Sequence, residues 1–367
     1  MNRFAVHKPV SETRVVVAMS GGVDSSVVAG MMKEEGYETI GITLQLYDHG
    51  QAIEKKNACC AGQDIEDARN VCEKIGIPHY VLNYESIFKE SVIEEFADSY
   101  LRGETPIPCV KCNQSVKFRD LFTVAKELGA DALVTGHYIR RIDGVNGAEL
   151  HTAIDVGKDQ SYFLFATTKK QLEFIHFPLG DFTKEHTRKL AEKYNLPVAV
   201  KPDSQDICFV PNGNYAKVVE KIRPQAVDVG EVVHIKTGEV LGHHSGIINY
   251  TRGQRKGLGG GYTHPLYVIR VEPETKRVIV GEEEFLFANS LEIKDLNWLG
   301  DNDNIPEAGI EADVKLRSVS GKKRARIIPQ ANKTAKIELL EPERAITPGQ
   351  ACVFYSGTRV LGGGWIV

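Results

Sequence analysis

The chain has 367 residues, 42% of them hydrophobic and 26% charged, with a formal net charge of −4 at pH 7. That length supports two or three domains, and the balance is that of an ordinary globular protein rather than a disordered or fibrous one. An acidic balance excludes a protein coated in positive charge and leaves any nucleic-acid contact to local basic strips.

The opening stretch, MNRFAVHKPVSETR, holds no apolar leader core, and no run of twenty apolar residues is present, so neither secretion nor a membrane partner is expected. The expected compartment is the cytoplasm, where static disulfides are disfavoured. Seven cysteines, Cys59, Cys60, Cys72, Cys109, Cys112, Cys208 and Cys352, then point to metal or redox chemistry wherever they cluster.

RVVVAM at residues 14–19 is β-branched and apolar, the pattern of a buried strand. It runs into SGGVDSS and a helix predicted from about Asp24, with Val27, Val28, Met31 and Met32 apolar and a stop at Gly36. Further strands are predicted at 39–46, 79–84 and 132–138, and helices at 63–75, 85–101 and 113–128. This alternation predicts an α/β fold with a doubly wound, mostly parallel sheet, whose ligands bind beyond the carboxyl ends of its strands. After Pro211 the pattern changes to short strands between Gly, Pro and Asn turns, among them GEVVHI, PLYVIRVE, RVIVGE, AKIELLE and ACVFYS. Two small β-rich domains are expected there, the last barrel-like. The expected division is 1–210 for the α/β domain, 211–283 for the central domain and 284–367 for the barrel.

Between a buried strand and a helix, Ser20-Gly21-Gly22-Val23-Asp24-Ser25-Ser26 makes an anion cradle. Glycines let the backbone turn sharply toward a ligand, the helix offers unpaired N–H groups and the positive end of its dipole, and the serines add hydroxyls. The loop lacks the Gly-Lys-Ser/Thr of a Walker A loop and the G-x-G-x-x-G of a dinucleotide fold. The plainer alternative is a Ser-Gly turn capping a helix. SGGVDSS resembles the loop of the PP-loop ATP pyrophosphatases. That resemblance implies cleavage of ATP between its α and β phosphates, with AMP passing to a substrate oxygen and the cradle holding diphosphate. Asp24 is a candidate holder of Mg2+; its plainer role is to complement the helix dipole.

Two thiols stand out. Cys112, in TPIPCVKCN, is placed at the start of the predicted helix CNQSVKFRDLF, where a helix N-terminus lowers a thiol pKa. Cys208 lies in KPDSQDICFV. A lone cysteine is ordinarily a small buried hydrophobe, and Cys59, Cys60, Cys72 and Cys352 are read so.

AMSGGVDSS, PCVKCN, VTGHY, GKDQSYFLF, KPDSQDICF, TRGQRKGLGGG and TPGQACVFY, spread over residues 18–355, together resemble the tRNA-specific 2-thiouridylases. The resemblance implies that the C2 carbonyl of the wobble uridine of tRNA becomes a thiocarbonyl. ATP adenylates O2, a persulfide on Cys208 delivers sulfur, Cys112 acts as nucleophile, and a transient Cys112–Cys208 disulfide results. Sulfur arrives from a cysteine desulfurase through carrier proteins. By the same resemblance Ala18, Met19, Ser20, Gly21, Gly22, Val23, Asp24 and Ser25 line the phosphates of ATP, and Leu44 and Gly136 its adenosine. His137, Lys158, Asp159, Gln160 and Gln350 face tRNA.

The chain departs from the pattern at one place. Many members read Asn-Pro-Asp-x-x-Cys-Asn around the first cysteine, and Cys109 stands here where they have Asp. Cys109, Cys112 and Cys208 then make a three-thiolate set, which is also the number that holds a 4Fe–4S cluster with one open iron. That cluster is the alternative route for sulfur. A zinc site lacks a fourth ligand at short spacing. For tRNA the basic strips are Arg140-Arg141, Lys169-Lys170, Arg252 with Arg255-Lys256, and Lys315, Arg317, Lys322, Lys323, Arg324 and Arg326. No acidic residue occurs from 314 to 337, so Arg317, Arg324 and Arg326 are expected to meet tRNA phosphates. The glycines of GLGGG predict a mobile loop.

Overall fold

The computed structural model describes every residue except 1–2, 5–6, 48–59, 204–205, 211–212 and 259–263. Cys59, the Cys60 side chain and three glycines of GLGGG lie outside the described residues. The chain divides into two compact units. The first comprises Met1–Ser91, Val110–Gln205 and Thr358–Val360; the second comprises Val92–Cys109, Asp206–Gly357 and Leu361–Val367.

The first unit is built on a parallel sheet of five strands in the order β3-β2-β1-β4-β7. β1 (Arg14–Met19) pairs on one side with β2 (Glu38–Gln45) and on the other with β4 (Ala132–Val134). β3 (His79–Asn83) and β7 (Ile175–His176) close the edges. Val15, Val16 and Val17 are fully buried, as expected of a central strand with both faces covered. Helix α1 (Val23–Glu34) is buried nearly all round, and Val23, Val27, Val28 and Met32 join the core with Ala68, Val71 and Cys72 of α2 (Cys60–Ile75). Because β2 and β4 flank β1 on opposite sides, the chain reverses direction across the sheet at β1, and the crevice beyond the ends of β1 and β4 is the expected ligand site.

β4 ends at Val134, short of the strand predicted to Tyr138. Gly136 and His137 leave the sheet, and the chain forms a hairpin of β5 (Ile139–Gly144) and β6 (Gly147–Thr152), onto which Arg359 and Val360 pair. The two long predicted helices are each interrupted by a π-helical stretch, Lys89–Glu94 and Asn113–Lys117. Such bulges recur at functional sites.

In the second unit, α3 (Glu95–Leu101) shares a core with the sheet β10-β11-β8-β9, through Phe96, Val232, Val268 and Val280. Those strands are β8 (Gly230–His234), β9 (Val240–His244), β10 (Tyr267–Glu272) and β11 (Arg277–Gly281). Helix α4 (Pro108–Cys112) follows α3, and α5 (Asp120–Glu127) and α6 (Lys184–Lys193) belong to the first unit. Helix α7 (Tyr215–Ile222) brings Val219 to the same core. The remaining strands are β12 (Phe287–Trp298), β13 (Ile310–Lys315), β14 (Lys323–Pro329), β15 (Ala335–Arg344), β16 (Ala351–Ser356) and β17 (Arg359–Ile366). They run in the order β12-β15-β14-β13-β16-β17, and β12 pairs with β17. This closes a six-stranded barrel without open edges. Ala325 and Ile327 face its interior while Arg324 and Arg326 alternate outward. Among the described residues no helix is long and apolar enough to cross a membrane.

Candidate active site

The loop after β1 is fastened by its own serines. Ser25 Oγ accepts from the Ser20 N–H at 3.1 Å and donates to the Gly22 carbonyl at 3.3 Å, and Ser26 Oγ donates to the same carbonyl at 2.7 Å. Gly21 has φ +70°, and a Cβ there would lie 2.7 Å from Asp64 Cα and nearer still to the Asp64 carbonyl. Glycine alone meets both demands. Gly136 arrives from the end of β4 so close that a Cβ would lie 2.7 Å from Ser25 N. The structure thus brings Ala18, Met19, Ser20, Gly21, Gly22, Val23, Asp24 and Ser25 together with Gly136. Leu44 stands at the same end of β2, half-buried, one residue beyond the partner of Met19.

A network of ions adjoins this cradle. Asp24 opens α1, and its two oxygens accept from Lys184 Nζ at 2.7 and 2.9 Å, while the Tyr138 hydroxyl donates to it at 3.0 Å. Lys184 also reaches Asp203 at 2.8 Å, which Lys158 and Arg188 approach at 2.7 and 3.0 Å. Burial pushes the Asp203 carboxyl up, but hydrogen bonds from Lys158 and Lys184, and their charges, overcome it and hold the group at about 2. Lys158, Lys184 and Arg188 thus converge on Asp203, and Lys184 on Asp24 as well, beside the phosphate loop. Lys201 clasps the loop from behind: it donates to the Gly21 carbonyl at 3.0 Å and to Asp64 and Asp67 at 2.7 and 2.5 Å. Burial works against its charge, yet the two carboxylates raise its pKa. A carboxylate at a helix start suits Mg2+. Here both Asp24 oxygens hold Lys184, so a cation bound there goes with release of the ammonium.

Sequence reasoning missed Tyr138, Lys184, Arg188, Lys201 and Asp203. The available signal was local: Thr183 caps α6 by accepting from the His186 N–H, and Lys184 and Arg188 lie four apart on that helix.

The residues assigned to tRNA from this unit are engaged within it. Lys158 sits on Asp203. Asp159 accepts from the N–H of Ala153 and the hydroxyl of Ser161, at 3.0 and 2.6 Å, and Gln160 accepts from the Tyr138 N–H at 2.8 Å. His137 bonds Thr135 Oγ1 at 2.8 Å and lies edge-on to Phe118 and Phe177. Burial first, then the Lys117 charge, pushes its imidazole down to about 3, so the ring is neutral at pH 7.

The thiols differ from expectation. The helix begins at Pro108, whose fixed φ and missing N–H suit a first helical position. Cys112 is therefore the fifth residue of a helix that runs straight on into the π-helical stretch Asn113–Lys117, not the first, and the dipole argument made for it does not apply. Cys112 is buried; Cys109 and Cys208 are exposed. The Tyr215 hydroxyl donates to Asp206 at 2.9 Å, and the phenol pKa is raised by burial, by Asp206 and by the charge of Cys109. Cys109 thus lies within electrostatic reach of Tyr215, and Asp206 stands two residues before Cys208. Among the described residues no three His, Cys, Asp or Glu side chains converge as a metal site. Cys72 and Cys352 are fully buried, burial pushing the first thiol up to about 12 and the second up as well; both are inert core residues.

On the second unit, Gln350 Nε2 donates to the Thr105 carbonyl at 2.8 Å, and the Thr105 N–H donates to the Pro348 carbonyl at 2.8 Å. The barrel turn thereby clasps the lead-in to α4. The arginine strip is not free of acid in three dimensions. Arg317 pairs with Glu343 at 2.8 Å, and Arg324 with Glu311 and Asp313 at 3.3 and 3.7 Å. Arg326 donates to the Ala308 carbonyl at 3.1 Å. Antiparallel pairing sets Asp313 opposite Arg324 and Glu338 opposite Arg326, which the acid-free stretch 314–337 conceals.

A parallel sheet whose first strand ends in SGGVDSS, with an acid opening the next helix and a second strand end packed on it, defines a PP-loop ATP pyrophosphatase. Family models match along the chain: a tRNA methyl transferase HUP domain over residues 13–212, a tRNA methyl transferase PRC-barrel domain over 216–282 and an aminomethyltransferase beta-barrel domain over 288–366. The tRNA-specific 2-thiouridylase MnmA of Rickettsia bellii is 62% identical over 355 residues, 97% of this chain and 96% of the relative. That of Rickettsia prowazekii is 61% identical over 352 residues, 96% of this chain and 98% of the relative. A solved 4-thiouridine synthetase–RNA complex with bound ATP is similar at a TM-score of 0.38 and 17% identity, over 58% of this chain and 51% of that one. The chain belongs to the tRNA-specific 2-thiouridylase family.

Proposed function

We propose that the chain thiolates C2 of the wobble uridine in tRNA, cleaving ATP to AMP and diphosphate. The observation that carries this reading is the phosphate cradle at 20–26 with Gly136 against it and the ammonium and guanidinium groups of Lys158, Lys184 and Arg188 beside it. Backbone N–H groups of the loop and the start of α1 hold the β and γ phosphates. Asp24 would hold Mg2+, which would supply charge neutralisation to the phosphates, and Lys184 beside it neutralises the departing diphosphate. Leu44 and Gly136 border the adenosine.

Adenylation turns uridine O2 into a leaving group. The terminal sulfur of a Cys208 persulfide attacks C2 and AMP departs, leaving C2 joined to Cys208 through two sulfurs. The Cys112 thiolate then attacks Cys208 Sγ. The S–S bond to the base sulfur breaks, a Cys112–Cys208 disulfide forms, and C2=S remains. Persulfide reaches Cys208 from sulfur-carrier proteins fed by a cysteine desulfurase. Arg326, which donates to the Ala308 carbonyl and meets Glu338 across the strands through charge alone, is the strip residue proposed for tRNA phosphate; Arg317 and Arg324 come second.

The test is incubation with ATP, unmodified tRNA and a persulfide-loaded donor. AMP, diphosphate and 2-thiouridine are expected in equal amounts. AMP without thiouridine would favour an amide-forming PP-loop ligase, and neither product a non-catalytic RNA-binding module. Iron and sulfide analysis of the same sample separates the persulfide route from a cluster on Cys109, Cys112 and Cys208: thiolation that scales with iron content would sink the persulfide version.

A further inference from the structure

We propose that Cys109 is the resolving thiol of this cycle, moving the disulfide off Cys208 and onto Cys112, its neighbour on α4. The proposal rests on the persulfide reading above. That route uses two cysteines and leaves Cys109 without a task.

Three observations place it. First, Cys109 and Cys112 lie three apart on one helix, where side chains share a face with Cβ atoms about 5–6 Å apart. A disulfide needs about 4 Å between them, so a small unwinding closes the bond. Second, Cys109 is exposed while Cys112 is buried, so an incoming reductant meets the first and not the second. Third, Cys109 lies within electrostatic reach of Tyr215, whose hydroxyl is bonded to Asp206. Cys208 follows Asp206 by two residues in the same unit. Of the other cysteines with described side chains, Cys72 and Cys352 are fully buried and take no part.

The exchange balances. The Cys109 thiolate attacks Cys112 Sγ in the Cys112–Cys208 disulfide. The Cys112–Cys208 bond breaks, the Cys109–Cys112 bond forms, and Cys208 leaves as a thiolate, ready to be charged again. The proton of Cys109 passes to solvent, and no net electrons are gained or lost. A dithiol reductant then supplies two electrons by a second exchange and restores both thiols of α4. A bridge across one helical turn is strained, and strained disulfides are the labile ones, which suits a bond remade in every cycle.

The experiment loads the full chain with persulfide, removes excess donor and reductant, adds ATP and unmodified tRNA for one turnover, and quenches with an alkylating reagent. Disulfides are mapped by peptide mass spectrometry. In wild type the bond is expected between Cys109 and Cys112, with Cys208 alkylated. In Cys109→Ser about one thiouridine per enzyme still forms, but the bond is Cys112–Cys208 and turnover stops there. A Cys112–Cys208 bond in wild type, with Cys109 alkylated, would overturn the proposal and leave the function intact. Loss of the single turnover in Cys109→Ser would also overturn it, assigning Cys109 to the base or to a cluster. No thiouridine from loaded wild type would sink the persulfide reading, and this inference with it.

Discussion

Gly21→Ala should damage the loop far more than Gly22→Ala, although the two glycines are adjacent. At φ +70° an alanine costs about 1–2 kcal/mol in backbone strain. Its Cβ would lie 2.7 Å from Asp64 Cα, against about 3.5–4 Å for an ordinary carbon contact. The backbone at Asp64 must therefore retreat by about 1 Å, and it carries the Lys201 clasp on Gly21, Asp64 and Asp67 with it. Overpacking of this kind costs about 1–3 kcal/mol, so the sum is about 2–5 kcal/mol. Gly22 has φ −92°, and a Cβ there meets Ser20 Oγ at an ordinary 3.5 Å. Its replacement costs the helix cap, about 1 kcal/mol or less. Urea unfolding of both variants reads the stability difference directly, and calorimetric titration of Gly21→Ala with ATP reads the displaced loop as a loss of at least tenfold in affinity. If Gly21→Ala is no less stable than Gly22→Ala and binds ATP like wild type, the steric account of the cradle is wrong.

Lys184→Met removes the cation shared by Asp24 and Asp203; product inhibition by diphosphate should weaken about tenfold, a loss of about 1.4 kcal/mol, and unchanged inhibition would remove Lys184 from the diphosphate site. His176 is buried, and its surroundings push the imidazole down to about 3, burial first and then the charges of Arg141 and Arg3. The unfolded chain takes up that proton near pH 6.5 while the folded chain does not, so the stability present above pH 6.5 is lost as pH falls toward 3. At pH 5 this side chain costs about 2 kcal/mol; His176→Phe should flatten the urea midpoint between pH 7.5 and 5, and an equal slope in both proteins would refute the assignment. Gln350→Ala breaks the bond to Thr105 and should speed hydrogen exchange at 103–107 and lower kcat, whereas a loss confined to tRNA affinity would return Gln350 to the tRNA surface. Arg326→Glu should weaken tRNA binding and reduce the slope of log affinity against log salt by about one; a binding isotherm that does not move excludes that face of the barrel.

Most of the elements of the sheet are legible in the chain because their signals are local. RVVVAM needs only its β-branched run to read as a buried strand, and SGGVDSS needs only its glycines and its place before a helix to read as an anion cradle. The barrel strands show their alternation, as at Ala325 and Ile327 against Arg324 and Arg326. Boundaries were harder where local signals compete. Pro108 starts α4 and so moves Cys112 from the front of a helix to its interior, a shift that one proline explains and the apolar period does not.

What the chain by itself determined is the type of chemistry: glycines at the end of a strand, an acid at a helix start and thiols in two motifs are each identified by residue type and near neighbours. What the tertiary structure decided is which charges those groups meet. Lys184 lies on Asp24 from 160 residues away, Gly136 abuts Ser25 from beyond the end of another strand, and Glu311, Asp313 and Glu343 stand beside arginines that are acid-free in their own stretch. Strand order and register set those meetings, and because Coulomb energy depends on distance in space rather than along the chain, no local pattern records them.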